Sequence, residues 1–376
     1  MTCMTMVALS GGVDSATTAW LLQRQDTPIA AMFMKNWESG DTEDGCNAEA
    51  DAADARLVAK QLGVKFYARN FATEYWDNVF EHFLAELQAG RTPNPDILCN
   101  REIKFKAFLD HALELGADCI ATGHYARRRV LDDGSVALLK GVDHNKDQSY
   151  FLHGLDQAQL EKARFPLGEL TKDEVRRLAH EAELPVADKK DSTGICFIGE
   201  RRFDAFIDDH LVGQPGPIVC VDDGSVVGTH TGLIHYTLGQ RKGLAIGGLK
   251  HHPEAPWFVV HKDVPNNTLY AAQDSHHPML MSTRLTADQA HWIGAHAPPT
   301  GVALTAKIRY RQADQACQIT AIDNDRIEVA FSEPQRAATP GQSVVFYDGE
   351  QCLGGAVIAE TNAPRPDSVI DAKLSA

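Results

Sequence analysis

Through residue 200, short apolar runs alternate with segments whose apolar positions recur at helical spacing. Residues 6–9 are apolar, a glycine turn follows, and Ala19, Leu21 and Leu22 continue as a helix. Residues 28–33 and 64–68 read as strands around an alanine-rich helix at 49–62, with Leu57, Val58 and Leu62 on one side. Helical spacing returns at 73–89 and 103–115, and residues 119–121 form a further short strand. This alternation predicts a parallel sheet with helices on both faces. Residues 130–139 break the rhythm as a hairpin turning at Asp132-Asp133-Gly134. Thr171-Lys172-Asp173-Glu174 has the form of a capping box, residues 203–211 form a short amphipathic helix, and residues 213–217 (GQPGP) mark a boundary. Beyond it the pattern is β, with strands at 218–221, 226–228, 257–261 and 269–272 and turns at Asp223-Gly224 and Asn266-Asn267. From about residue 285 strands recur evenly at 303–310, 316–322, 326–331, 343–347 and 353–359, which suits a small closed barrel or a sandwich.

Composition narrows the class. A chain of 376 residues exceeds one ordinary core, so two or three domains are expected. Hydrophobic content of 44% with 23% charged residues fits a folded, soluble protein. No apolar stretch reaches membrane-spanning length, and no signal peptide is read at the N-terminus. Eight cysteines without a CxxC pair argue against a disulfide scaffold or zinc site and for the cytoplasm. The formal charge is −15, so any RNA-binding surface has to be locally basic.

The turn after the first strand reads Ser10-Gly11-Gly12-Val13-Asp14-Ser15. Backbone N–H groups in such a turn and at the following helix N-terminus form an anion site, and glycine lets phosphate approach. Asp14 would repel phosphate unless a cation lies between them, which implies Mg²⁺. Neither a Walker loop with its lysine nor a GxGxxG dinucleotide loop is present. The SGGVDS loop resembles the signature of the PP-loop ATP pyrophosphatases, which cleave ATP between the α and β phosphates and pass AMP to a substrate oxygen.

Two cysteines narrow the reaction. Thr92-Pro93-Asn94-Pro95-Asp96-Ile97-Leu98-Cys99-Asn100 carries two prolines, which are expected to hold it extended and outside any helix. Asp191-Ser192-Thr193-Gly194-Ile195-Cys196-Phe197 places a second cysteine after a polar turn. Cys119, Cys220, Cys317 and Cys352 lie in or beside strands and read as buried small hydrophobes, Cys3 is terminal, and Cys46 lies in a polar loop. A persulfide carrier needs a second thiol to cleave its S–S bond, leaving a disulfide. Cys99 and Cys196 suit those roles, though only the fold can unite them.

Taken with SGGVDS, the stretches PNPDILCN and STGICFIG resemble the bacterial tRNA-specific 2-thiouridylases, which make 2-thiouridine at the wobble position. AMFMKNW, ATGHYAR, KDQSYFL, TLGQRKGL and KIRYRQ match as well, along the whole chain. The resemblance implies a multidomain α/β plus all-β protein. Its parts are a parallel-sheet PP-loop (adenine nucleotide alpha hydrolase-like) catalytic domain at 1–212, a small central β-rich domain at 213–283 and a C-terminal β-barrel at 284–376. It implies that Ala8, Leu9, Ser10, Gly11, Gly12, Val13, Asp14 and Ser15 hold ATP, with Met34 and Gly123 on the adenine side. Cys196 would carry the persulfide and Cys99 would be its partner nucleophile. Asp96 is a general acid–base candidate; Asn94, Pro95 and Asp96 would meet the flipped-out uridine, whose C2 carbonyl is hidden while stacked. His124, Lys146, Asp147, Gln148, Arg309, Tyr310 and Gln342 would contact tRNA. ATP with Mg²⁺ near Asp14 is the implied co-substrate, with no permanently bound cofactor. The implied partners are tRNA and a persulfide carrier or cysteine desulfurase, and the implied state is a cytoplasmic monomer.

Local positive charge is expected from Lys307, Arg309 and Arg311, which alternate along a predicted strand and would project from one face. Arg101, Lys104 and Lys106 form a second basic patch, and Arg127, Arg128 and Arg129 a third. Two rival readings are a PP-loop amidotransferase-type synthetase acting on a small molecule and a non-catalytic RNA- or nucleotide-binding protein. The paired cysteines argue against the first, and the intact loop with both cysteines against the second.

Overall fold

A computed structural model describes residues 3–37, 47–191, 207–249, 251–294 and 296–366. Cys46, Cys196 with the stretch around it, and residues 203–206 of the helix expected at 203–211 lie outside the described residues.

The N-terminal part builds a five-stranded parallel sheet, β3-β2-β1-β4-β7, from β1 (Thr5–Ala8), β2 (Ile29–Lys35), β3 (Lys65–Asn70), β4 (Cys119–Ala121) and β7 (Ala163–Arg164). The antiparallel hairpin β5 (Ala126–Val130) and β6 (Val136–Lys140) lies between β4 and β7 in sequence, where the turn at 132–134 places it. Side chains alternate across β1: Met6 and Ala8 join one apolar core, Val7 and Leu9 the other. A strand buried on both faces has to be apolar throughout, which is why residues 6–9 read as a continuous run. The chain adds β2 and β3 on one side of β1 and then β4 on the other, so strand order reverses between β1 and β4.

Helices cover the sheet: α1 (Val13–Arg24), α2 (Asn47–Leu62), α3 (Ala72–Tyr75), α4 (Glu81–Gln88), α5 (Pro95–Leu98), α6 (Phe108–Glu114), α7 (Gln157–Lys162) and α8 (Lys172–Glu181). Wide π-helical turns join α3 to α4 (Trp76–Phe80) and α5 to α6 (Cys99–Ala107). The expected capping box starts α8, with Thr171 and Glu174 exchanging side-chain and backbone hydrogen bonds. The proline segment corrects the sequence reading. Asn94 is extended, but Pro95 occupies the first helical position, where a missing N–H is no loss and the fixed φ is helical. Asp96 and Cys99 are therefore helical, not on an extended strap.

A second sheet, β10-β11-β8-β9, is formed by β8 (Gly216–Cys220), β9 (Val226–His230), β10 (Phe258–Asp263) and β11 (Thr268–Ala272) around Ile218, Val227, Trp257 and Leu269. The C-terminal part is a closed six-stranded antiparallel barrel of β12 (Met281–Trp292), β13 (Leu304–Lys307), β14 (Gln315–Asp323), β15 (Arg326–Arg336), β16 (Ser343–Asp348) and β17 (Gln351–Thr361), with β12–β17 pairing as the seam. The expected strand at 303–310 stops at Lys307. β6 pairs with β17 through Leu139 and Leu138, so the hairpin extends the barrel sheet. No helix of the described residues is long and apolar enough to cross a membrane.

The turn before α7 locks the first sheet's domain to the barrel. Tyr150 donates its hydroxyl to Ser343 O (2.9 Å), and His153 Nε2 lies 3.2 Å from Ser343 Oγ. Burial lowers the His153 pKa to about 3 from an ordinary 6.5. The unfolded chain then binds a proton that the folded one does not. Stability should therefore be fully present above about pH 6.5 and fall as pH drops toward about 3. His153→Gln should flatten this part of the slope, measured by urea unfolding at about pH 5 and about pH 7.5.

Candidate active site

The reversal of strand order between β1 and β4 leaves a crevice at their carboxyl ends, the usual ligand position of an open parallel sheet. The SGGVDS turn fills its floor. Ser10 N–H donates to Ser15 Oγ (3.1 Å), and Ser15 Oγ donates to Gly12 O (3.0 Å), so the loop is pinned from within. Gly11 has φ +79°, and a Cβ there would lie 2.3 Å from Asp51 O. Gly12 starts α1 with no side chain over the first helical N–H groups, leaving them open to an anion. After β4, Gly123 lies against the same turn, where a Cβ would sit 3.0 Å from Asp14 C and Ser15 N. Met34, near the end of β2, is buried in the core beneath. The structure thus brings Ala8 to Ser15 and Gly123 together at one crevice.

A charge cluster that the sequence reading missed stands beside the loop. Lys172 Nζ lies 2.7 and 2.9 Å from the Asp14 carboxylate oxygens and 2.7 Å from Asp191 Oδ1. Tyr125 OH donates to Asp14 Oδ1 (2.8 Å). Lys146 (2.6 Å) and Arg176 (3.0 Å) also hold Asp191. Burial pushes the Asp191 carboxyl up, but hydrogen bonds from Lys146 and Lys172 and their charges outweigh it and bring the pKa down to about 2. One signal was available in sequence: the capping box puts Lys172 in the first turn of α8, where the helix dipole disfavours a cation.

The Asn94–Cys99 segment is fixed just upstream by the other two sheets. Thr92 N–H donates to Pro340 O (2.9 Å), and Gln342 Nε2 donates to Thr92 O (2.6 Å). Thr92 Oγ1 meets Thr237 Oγ1 of the central domain at 3.0 Å. Asn94 Oδ1 accepts the Asp96 N–H and so caps α5. Asp96 and Cys99, three apart, share a helix face; Asp96 is half-buried and Cys99 fully buried. Asn100 Nδ2 donates to Phe151 O (3.1 Å). Phe105 on the same π-helical stretch packs on His124, 5.8 Å between ring centroids, and His124 follows Gly123 at the loop. Burial, then the Lys104 charge, holds His124 well below its ordinary pKa, so it is a neutral, buried ring bonded to Thr122 Oγ1 (2.7 Å).

The expected basic ribbon is not formed. Past Lys307 the strand has ended; Lys307 is buried, with Nζ 3.4 Å from Asp147 Oδ2. Arg309 donates to Leu238 O and Ala337 O, and only Arg311 is exposed. Tyr310 donates its hydroxyl to Lys146 O (3.2 Å). In the KDQ turn, Asp147 is buried and accepts from Gly141 and Ser149 N–H, while Gln148 Oε1 accepts from Tyr125 N–H. The third patch is also largely structural: Arg128 donates to three carbonyls at the end of α7, and Arg127 pairs with Glu350. Arg101 and Lys106 share Glu102 and stay substantially exposed. Cys119, Cys220, Cys317 and Cys352 are buried as expected. Cys220, Asp223 and His252 lie within metal-ligand reach of one another, but the Ser225 hydroxyl bonds both Asp223 and His252.

Gln342→Ala removes one of the two backbone anchors of Thr92. Amide hydrogen exchange at residues 92–99 should accelerate about 10-fold while the barrel strands keep their protection. Unchanged exchange there would show that Gln342 does not hold the segment.

Family models match the chain in three consecutive blocks: residues 4–200 "tRNA methyl transferase HUP domain", 204–273 "tRNA methyl transferase PRC-barrel domain" and 282–358 "Aminomethyltransferase beta-barrel domain". The tRNA-specific 2-thiouridylase MnmA of Shigella dysenteriae is 58% identical over 96% of this chain and 98% of its own length. That of Acinetobacter baumannii is 55% identical over 97% and 99%. With this identity sustained across all three sheets, the chain belongs to the tRNA-specific 2-thiouridylase family.

Proposed function

We propose that this chain uses ATP to replace the C2 oxygen of the wobble uridine in tRNA with sulfur. The observation that carries the reading is the packing of the Cys99 helix, through Phe105 and His124, onto the SGGVDS crevice. That contact ties an anion-binding loop to a thiol-bearing helix within one core.

In this reading the open N–H groups of α1 and the glycine turn receive the ATP phosphates, and Met34 and Gly123 shape the adenine side. Asp14, whose side chain is 31% exposed, remains accessible to the Mg²⁺ that accompanies ATP. The uridine O2 attacks the α-phosphorus, a P–O bond to the β-phosphate breaks, and pyrophosphate leaves. The base now carries AMP as a leaving group on C2. A donor protein supplies Cys196 with a persulfide, whose outer sulfur is nucleophilic. That sulfur, attached or released as hydrosulfide, bonds to C2 and AMP departs. Cys99 thiolate attacks the inner sulfur, so the S–S bond breaks, a Cys99–Cys196 disulfide forms, and an external thiol reduces it before the next turnover. Asp96, one helical turn from Cys99, is positioned to move protons at the base. Asn94 and Pro95 present this helix end to the flipped uridine. The exposed cations Arg101, Lys106 and Arg311, with the Tyr310 ring and Gln342, are the groups this reading assigns to tRNA.

Nucleoside mass spectrometry of tRNA incubated with protein, ATP and a persulfide donor tests it. Wild type should yield 2-thiouridine and AMP; no product would end the reading. Cys196→Ala should still adenylate tRNA but lose thiolation by about 10³-fold or more. Cys99→Ala should also stop thiolation, and normal product from it would remove Cys99 from the mechanism.

A further inference from the structure

The phosphate loop has no lysine of its own, yet an ammonium lies against it, contributed by a residue 158 positions away. Lys172 is 8% exposed and makes three short contacts, two to Asp14 and one to Asp191. An ammonium has three N–H donors, so these contacts occupy all of them. Neither carboxylate depends on Lys172 alone. Asp14 keeps the Tyr125 hydroxyl, and Asp191 keeps Lys146 and Arg176. The ammonium can therefore turn away from either one without leaving it bare. Around the loop three cations, Lys146, Lys172 and Arg176, stand with three carboxylates, Asp14, Asp191 and Asp143, the last accepting the Lys172 backbone N–H (2.9 Å), so the cluster is balanced before an anion enters. Asp14 is in the first turn of α1, the turn whose N–H groups are open to an anion. A flexible four-carbon stem lets the ammonium cross from Asp14 to an anion held there.

We infer that Lys172 is the phosphate-binding cation of this site, parked between Asp14 and Asp191 in the free enzyme and transferred to phosphate oxygens when the nucleotide binds. The inference rests on the reading of the loop as an ATP site. It gives the crevice what a Walker lysine gives other loops, delivered from the start of α8. In adenylation the same ammonium carries the charge that grows on the departing pyrophosphate. No bond of Lys172 is made or broken; it changes hydrogen-bond partners.

Binding of ATP and of adenosine, measured by calorimetry on full-length protein, separates this role from a structural one. Lys172→Met should weaken ATP binding about 10- to 100-fold and leave adenosine binding unchanged. Lys172→Arg should restore part of the ATP affinity. Asp191→Asn keeps the ammonium and removes one of its holders, so it should raise ATP affinity and leave adenosine alone; it also keeps the inference falsifiable if Lys172→Met does not fold. Equal loss of ATP and adenosine binding in Lys172→Met, unchanged ATP binding, or weaker ATP binding in Asp191→Asn would overturn the inference. Wild-type protein that binds neither compound would instead bring down the reading of the loop itself.

Discussion

Both backbone groups of Thr92 are taken by the C-terminal barrel: its N–H by Pro340 O and its carbonyl by the Gln342 amide. Its hydroxyl meets Thr237 of the central domain. Loops of the central domain and of the barrel therefore meet the N-terminal domain two residues before Asn94, which caps the helix that carries Asp96 and Cys99. The approach is close enough that Gly341 has no room for a side chain: its φ is +93°, and a Cβ would fall 2.8 Å from Thr92 N. A short helix of this length is marginal alone, because nucleation fixes many dihedrals for few bonds. Here the entry angle of α5 is set by contacts 145 and 250 residues away in sequence. The barrel is thus a structural partner of the cysteine helix as well as a surface.

The same economy governs charge. An acidic chain that meets phosphate has to concentrate its cations, and most of those the sequence nominated are committed inside the protein. Lys307 faces Asp147 and Asp314, Arg309 ties the barrel to the central domain through Leu238 O, and Arg128 closes the end of α7. The Lys307–Asp147 pair is buried on both sides, so water screens it little. These contacts hold the architecture together, and charge reversal at Lys307 would first break the fold. The nominated cations with real exposure are fewer: Arg101 and Lys106 on the cysteine helix's π-helical continuation, Arg129 on β5 and Arg311 at the barrel.

Which features were legible follows from their range. The strands β1, β2 and β4, the β5–β6 hairpin and the Thr171 capping box depend on neighbours in sequence, and periodicity found them. β12 was missed because its residues 281–292 (MSTRLTADQAHW) are polar at many positions; only Ser282, Leu285 and Ala287 are buried, and pairing with both β15 and β17 makes the strand. Pro95 misled because proline forbids helix interiors but favours the first position, and Asn94 before it is the cap that tells the two apart. The alternation at 306–311 suggested a strand, but pairing with β14 and β16 ends before Ile308, and period-two spacing carries no meaning without a ladder. The pairing of Lys172 with Asp14 and Asp191 was invisible because those partners are tertiary, yet its place in a first helical turn was a local inconsistency that the sequence did show.

The π-helical turn at Cys99–Ala107 shows the same kind of inconsistency in geometry. Consecutive residues both face inward here: Cys99 lies in the apolar core, and Asn100 reaches Phe151 O on the turn that locks the barrel. Ile103 and Phe105 stay buried further along, and Phe105 reaches His124, which follows Gly123 at the crevice of the glycine loop. Meanwhile Arg101 and Lys106 remain outside on Glu102. Wide turns give poorer packing of the backbone and are rare except where a site needs them. Here the wide turn carries on one short element a buried thiol, a contact to the turn that locks the barrel and a contact to His124 beside the glycine loop.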